Sequence, residues 1–235
     1  MRKNTNSLIA FFVLLVFSSA ANAEILIDDF DSGASLSQVF LAGLVPAPVG
    51  PETTISPEIL GGQRIHTLNV PPVPNAFSGL AAFNVGGDSN FSITQGSEDQ
   101  LVTTLFYGSL GGIDLTDGGD LNSFELNFQS NDSDLLPIED VLELTVVDSA
   151  GAIVTQSITI PPNPAVDPLS QPTVVGFSEF AGANFTSVES LTLTFDFAAD
   201  PGGDLELGSF SAVPEPGSLA LLSMGSLILL RRRRM

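Results

Sequence analysis

This chain has no cysteine and no tryptophan, and only one tyrosine, one histidine and one lysine. Without cysteine it forms no disulfide and performs no thiol chemistry. A zinc ion would have to rest on His66 and carboxylates, which is not a usual zinc ligand set. There is no Cys/His pair and no G-x-S-x-G elbow, so nucleophilic catalysis of those kinds has no assignable residues, and the chain does not read as an enzyme. Glycoside hydrolysis needs only two carboxylates, and 27 acidic residues keep a glycoside-processing enzyme as a remote alternative. The aromatic inventory is 17 phenylalanines beside the one tyrosine. Phenylalanine has no polar tip and belongs to cores, whereas exposed recognition rings favour tyrosine and tryptophan. Tyr107 is therefore the one obvious candidate for an exposed stacking ring, with an edge-of-core tyrosine as the competing reading.

Positive charge is missing from the middle of the chain. Arg2 and Lys3 stand at one end and Arg231, Arg232, Arg233 and Arg234 at the other, leaving Arg64 alone between them. The segment from Glu24 to Ala212 sets 26 acidic residues against that one arginine, a formal charge of −25. Such a surface repels phosphate backbones, which excludes nucleic acid as a partner. It suits cations and basic surfaces, and it keeps a domain soluble. Arg64, as the sole cation, is expected to pair with carboxylates inside the fold through its bidentate guanidinium. Apolar content of 43% is too high for a disordered chain in spite of the charge.

Both ends carry processing patterns. Met1 to Ser7 is short and basic, Leu8 to Phe17 is an uninterrupted apolar run, and Ser18 to Ala23 supplies small residues. Ala21-Asn22-Ala23 matches the A-x-A cleavage pattern, so residues 1–23 read as a secretory signal helix handled by the Sec export machinery and signal peptidase. Ten apolar residues are too few for a membrane span, which takes about 20. At the other end, Val213-Pro-Glu-Pro-Gly-Ser218 precedes an apolar run to Leu230 and then the four arginines. Pro214 and Pro216 impose an extended lead-in, because each fixes φ and lacks an N–H. The run can then begin a helix, and the arginines stop it on the cytoplasmic side. Ser218 to Leu230 is 13 residues. That is roughly 20 Å of helix against a hydrocarbon core of about 30 Å, which predicts a transient membrane insertion.

The Pro214-Glu215-Pro216 motif, the apolar segment and the basic C-terminus together resemble the PEP-CTERM sorting signal. The resemblance implies recognition and cleavage by an exosortase in a Gram-negative bacterium that makes exopolysaccharide. It casts Pro214, Glu215 and Pro216 as recognition residues for another enzyme.

Between the ends, from 24 to 212, no long helix is expected. Runs of β-branched and aromatic residues alternate with Gly, Pro, Asn and Asp clusters, which predicts about ten short strands. The expected strands are 25–30, 63–70, 81–85, 90–94, 100–107, 123–129, 141–148, 153–160, 173–177, 190–197 and 205–211. Asp148-Ser-Ala-Gly151 is turn chemistry between two such runs and predicts a β-hairpin. Leu191 to Phe197 alternates strictly, as a half-buried strand does. Proline-rich stretches at Val45 to Pro57, Val70 to Pro74 and Pro161 to Pro172 read as surface loops. The expectation is one all-β domain, a jelly-roll-like β-sandwich at 24–212, with an N-terminal signal helix before it and a C-terminal apolar helix within 213–235.

The middle also resembles domains of other PEP-CTERM proteins. The matching pieces are Ile27-Asp-Asp-Phe30, Ile59 to Arg64, Gly112 to Asp120, Asp148 to Gly151 and Asp204 to Phe210. The acidic first and last strands are similar to those of carbohydrate-binding jelly rolls, where such residues often sit near a structural calcium. Calcium is accordingly the candidate cofactor, with solvated turn carboxylates as the competing reading: hard cations take six to eight oxygen ligands, and Asp28, Asp29, Asp204 and Glu206 converge if the first and last strands pair. Asp114 to Asp120 is a second acidic loop without EF-hand spacing. The functional expectation is a cell-surface or exopolysaccharide-matrix component with a structural or interaction role. Its alternative is a carbohydrate-binding module, calcium-dependent through the acidic set.

Overall fold

A computed structural model describes residues 24–31, 36–39, 49–69, 80–84, 90–94, 102–131, 138–160, 172–197 and 205–215. Its strands are β1 (Ile25–Asp28), β2 (Leu36–Val39), β3 (Val49–Ile55), β4 (Gln63–Asn69), β5 (Leu80–Asn84), β6 (Phe91–Thr94) and β7 (Val102–Tyr107). They continue with β8 (Ser123–Asn131), β9 (Ile138–Asp148), β10 (Ile153–Ile160), β11 (Thr173–Gly176), β12 (Val188–Asp196) and β13 (Leu205–Val213). Short 3-10 turns at Leu60–Gly62, Asp117–Gly119 and Phe177–Glu179 punctuate them. No helix among the described residues is long and apolar enough to cross a membrane. The expected signal and tail helices lie outside the described residues.

The strands form two antiparallel sheets. One has the order β11-β8-β13-β6-β5-β2, with β1 also paired to β13, and the other the order β10-β9-β12-β7-β4-β3. The chain passes repeatedly from one sheet to the other, and its first and last strands pair, Ile25 opposite Ala212 and Leu26 opposite Ser211. This is the jelly-roll-like sandwich expected from the strand spacing.

Alternation of side chains explains why the two sheets face each other. Leu142, Leu144 and Val146 of β9, Leu191, Leu193 and Phe195 of β12, and Phe124, Leu126 and Phe128 of β8 are buried, while the residues between them are at least partly exposed. In β13 the buried set changes parity, from Leu205 and Leu207 to Phe210 and Ala212. A register shift between Leu207 and Ser209 accounts for it, since one extra residue turns every later side chain to the opposite face. Around Phe124 a cluster of rings closes one end of the core, with Phe177, Phe180, Phe185 and Phe210 at centroid distances of 4.9 to 5.8 Å.

Ile153–Ile160 is observed with its expected bounds, and the turn before it forms as its composition implies. Gly151 N–H donates to Asp148 O at 2.9 Å, and Gly151 takes φ of 83°. One reading needs correction: Val45 to Pro57 is not wholly loop, because β3 lies inside it. β3 is an edge strand, where a residue without N–H such as Pro51 is tolerated, and Thr53-Thr54-Ile55 suits the extended backbone. Leu36–Val39 is the other strand absent from the expectation, also at a sheet edge. The loops 70–74 and 161–171 lie outside the described residues.

Asp148 ties the hairpin to the loop before β12. Its Oδ1 accepts from Ala150 N–H (3.0 Å) and Ala152 N–H (2.9 Å), and its Oδ2 accepts from Asn184 N–H (3.1 Å). These donors, Ala152 foremost, hold the carboxyl below its ordinary value of 3.8. A carboxylate depressed in the folded state adds stability above the unfolded pKa, which is lost as pH falls through the lower folded value. Asp148→Ala should therefore lower Tm at pH 7 and flatten the loss of stability below pH 4. Equal acid limbs for variant and parent in thermal melts from pH 2 to 7 would contradict this.

Candidate functional site

Three arrangements qualify for attention: a polar centre in the core, the outer face of the six-stranded sheet, and the junction where the last strand enters the Pro-Glu-Pro motif. The polar centre is the most buried. Arg64, on β4, is 0% exposed and directs Nη1 onto Asp28 Oδ2 on β1 of the opposite sheet. Tyr107 of β7 donates its hydroxyl to the same oxygen at 3.0 Å, and Phe30 N–H donates to Asp28 Oδ1 at 2.9 Å. The Arg64 guanidinium carbon also lies 5.4 Å from the centroid of the Phe30 ring. Burial pushes the Asp28 carboxyl up, and the Arg64 charge and the three donors pull against it. Burial and the Asp28 charge push the Tyr107 phenol up. Arg64 thus does pair inside the fold, and the exposed-ring reading of Tyr107 is overturned, because its hydroxyl finds its partner in the core.

His66 sits two residues along β4, 4% exposed, with Nε2 2.8 Å from Thr103 Oγ1. The Thr103 hydroxyl donates to Thr67 O at 3.1 Å, so its oxygen is left to accept and His66 carries its proton on Nε2. Burial first, and the Arg64 charge second, lower His66 to about 3. It is neutral at physiological pH and spoken for by Thr103, a poor position for a general base.

Of the acids expected to gather around calcium, Asp204 lies outside the described residues. Asp28 spends its oxygens on Arg64, Tyr107 and Phe30, and the Asp29 carboxylate accepts from Asp31 N–H at 3.1 Å. Glu206 Oε1 accepts from Asn90 Nδ2 at 2.6 Å. β1 and β13 pair, but antiparallel and with Asp28 opposite Phe210. Glu206 is four residues further along β13, about 13 Å at the rise of a strand. Among the described residues no three His, Cys, Asp or Glu side chains are grouped to hold a metal. In the second acidic loop Asp114 folds back on its own turn, accepting from Thr116 N–H (2.8 Å), Thr116 Oγ1 (2.6 Å) and Gly118 N–H (3.3 Å), which lower its pKa.

The outer face of the six-stranded sheet bears a row that crosses every strand: Thr155, Thr145, Thr192, Phe106, Ile65 and Thr53. Thr145 and Thr155 share a 2.8 Å hydroxyl contact. Phe106 is partly exposed and its ring lies against Gly108, where any side chain would collide with it. A row of hydroxyls around a ring on a pleated face can offer both stacking and hydrogen bonding to an extended ligand.

At the junction, β13 runs through Val213, which pairs with Ser123. Asn122 N–H donates to Val213 O at 3.2 Å, and Asn122 Oδ1 accepts from Glu215 N–H at 2.5 Å. Asn122 is itself anchored, its carbonyl accepting from Phe177 N–H at 2.7 Å. The Glu215 carboxylate lies beside Gly176, 3.2 Å from where a side chain there would begin. Pro214 and Glu215 are both partly buried. Residues 212–234 match the model of the PEP-CTERM protein-sorting motif.

The chain carries a PEP-CTERM sorting motif. The motif marks an exosortase-sorted, exported protein. It begins inside the last core strand and takes in Pro214, Glu215 and Pro216 and the arginines 231–234. Pro216 and Arg231 to Arg234 lie outside the described residues, as do Ala21 and Ala23 of the signal cleavage pattern. No curated protein matches the chain. Among solved structures it is similar to the family 11 carbohydrate-binding module of a cellulosomal cellulase of Clostridium thermocellum. That match has 11% identity and TM-score 0.38, and spans 83% of this chain and 96% of the module. A solution structure of CtCBM11 matches at 12% identity and TM-score 0.41, over 83% and 98%. An exo-β-agarase matches at 13% and 0.37, over 83% of this chain and 25% of the agarase. The sandwich described above stands on its own strand pairing.

Asn122 and Gly176 were not expected as site residues. An asparagine before a strand and a glycine at the end of one are ordinary turn chemistry, so neither stands out until Glu215 is placed against them.

Breaking the polar centre from one side leaves a buried charge unpaired, which costs about 3–5 kcal/mol. Arg64→Met should lower unfolding stability in urea by about that amount, and adding Asp28→Leu should restore most of it. A double variant no more stable than Arg64→Met alone would refute the pairing account.

Proposed function

We propose that this chain is an exported, exosortase-processed protein of the cell surface or exopolysaccharide matrix of a Gram-negative bacterium, with a structural or interaction role and no catalysis of its own. The observation that carries the reading is the sorting motif at 212–234. Residues 1–23 serve as the signal peptide, cut after Ala23, residues 24–212 as the working domain and residues 213–235 as the sorting signal. Arg231 to Arg234 stop the apolar run at the inner membrane until processing. The non-catalytic role is supported by His66, which is buried, neutral and committed to Thr103. Mass spectrometry of the released protein tests the route. The expected product begins at Glu24 and lacks the arginine block, and Pro214→Ala with Pro216→Ala holds the chain as precursor. Arginine-bearing chains at the surface of unaltered cells would sink the reading.

A second reading, a carbohydrate-binding module, is favoured by the hydroxyl row around Phe106. Stacking on a ring and hydrogen bonding to neighbouring hydroxyls suit an extended neutral saccharide, a partner that a strongly acidic surface does not repel. Calcium dependence, in this reading, rests on Asp29, Asp204 and Glu206, since Asp28 is taken up by Arg64. A glycan array probed with the 24–212 domain in Ca²⁺ and in EDTA should give signal that Phe106→Ala reduces at least tenfold, a loss on the scale of about 1.4 kcal/mol. Flat arrays in both conditions remove the lectin reading, and signal indifferent to EDTA removes calcium from it.

A further inference from the structure

The sorting motif is partly folded into the domain it sorts, and this bears on when it can be read. The inference rests on the exosortase reading above. Pro214 and Pro216 have no N–H, so Glu215 supplies the one main-chain donor of the Pro-Glu-Pro sequence. That donor is given to Asn122 Oδ1 at 2.5 Å, and the carbonyl before Pro214 accepts from Asn122 N–H at 3.2 Å. Both main-chain groups flanking Pro214 are thus held by one residue. Asn122 is in turn fixed by Phe177 N–H, and Ser123, its neighbour, pairs with Val213 as the last rung of the β8–β13 ladder. The absence of a side chain at Gly176 leaves room for the Glu215 carboxylate against the body.

An enzyme that binds an extended peptide does so largely through main-chain N–H and C=O groups. Around Pro214 these are the groups Asn122 occupies. We propose that Asn122 latches the sorting motif to the sandwich, and that the exosortase acts only on molecules in which Glu215 N–H has been released. The geometry of the tether adds a second condition. Glu215 is four residues from Leu219, where the apolar run begins. Four residues reach at most about 14 Å, so the closed latch holds the Asn122 end of the sandwich close to that segment. Opening it frees the chain to extend into an active site. The latch is a local equilibrium on the folded domain, and its population responds to small changes such as the loss of the Glu215–Asn122 hydrogen bond.

The test uses the full chain in membranes that contain the exosortase. Pulse-chase conversion of precursor to product should be about three- to tenfold faster for Asn122→Ala than for the parent, the effect of removing one hydrogen bond from the closed state. Asn122→Asp keeps an acceptor at the same place and should process near the parent rate. Amide exchange of the unaltered full chain in detergent, which needs neither the enzyme nor a variant, should show Glu215 N–H protected. Protection should be lost in Asn122→Ala. An unprotected Glu215 in the parent overturns the latch. Equal or slower conversion of Asn122→Ala, with its Tm near the parent value, overturns the gate. No conversion of any form overturns the exosortase reading and the gate with it, while protection of Glu215 still upholds the latch.

Discussion

With no cysteine available, the two sheets are joined across the core by apolar packing and, among the described residues, by the buried ionic contact of Arg64 with Asp28. It reaches from β4 in the six-stranded sheet to β1 in the seven-stranded one, and Tyr107 on β7 adds a second strand to the same carboxylate. A buried pair of this kind contributes little net stability over an apolar replacement, but losing one partner is severe. Its role is one of position. β1 is only four residues long and lies at the end of β13 beside β6 on the same edge. A charge on Asp28 that is compensated by Arg64 and by the donors around it fixes where that short strand docks, and with it the pairing of first and last strands. The neighbouring His66 and Tyr107 follow from the same burial: one is held neutral and the other protonated.

The pairing of β1 with β13 matters because β13 leads into the sorting motif and β1 follows the expected signal segment. Glu24 follows the expected signal cleavage site, and Val213 opens the sorting motif. The two ends of the domain therefore lie side by side, and both are engaged by the folded body. At the β13 end the engagement continues past the last strand pair, through Asn122, into Pro214 and Glu215. The sorting signal and the fold meet without a spacer, which is the physical basis for coupling one to the other.

Much of the architecture was legible from local pattern. The β9–β10 hairpin could be read because Asp148-Ser-Ala-Gly151 is turn chemistry between two β-branched runs, and β12 because Leu191 to Phe197 alternates. β3 was not legible: Pro51 and the acidic Glu52 mask a strand that is tolerated because it lies at a sheet edge and needs a partner on one side only. Tyr107 is a different case. A lone tyrosine among phenylalanines offers two readings, an exposed ring and an edge-of-core tyrosine, and only the fold decides for the core, where its hydroxyl is satisfied by a carboxylate 79 residues away in sequence.

What the sequence by itself determined is the class and the destination of this protein. Spacing of β-branched residues and turn formers implies an antiparallel β fold, and Pro214-Glu215-Pro216 with its apolar run and arginines is a contiguous signal, readable without a fold. That Arg64 would need a carboxylate was also clear, because no other cation stands in the acidic domain. Tertiary structure alone decided which carboxylate it takes, that Asp28 is consumed in the core, and that Phe106 lies on an outer face among threonines. It also decided that Asn122 holds the sorting motif. Each of these is a contact between residues distant in the chain, set by sheet order and by a register shift in β13, and no local periodicity encodes them.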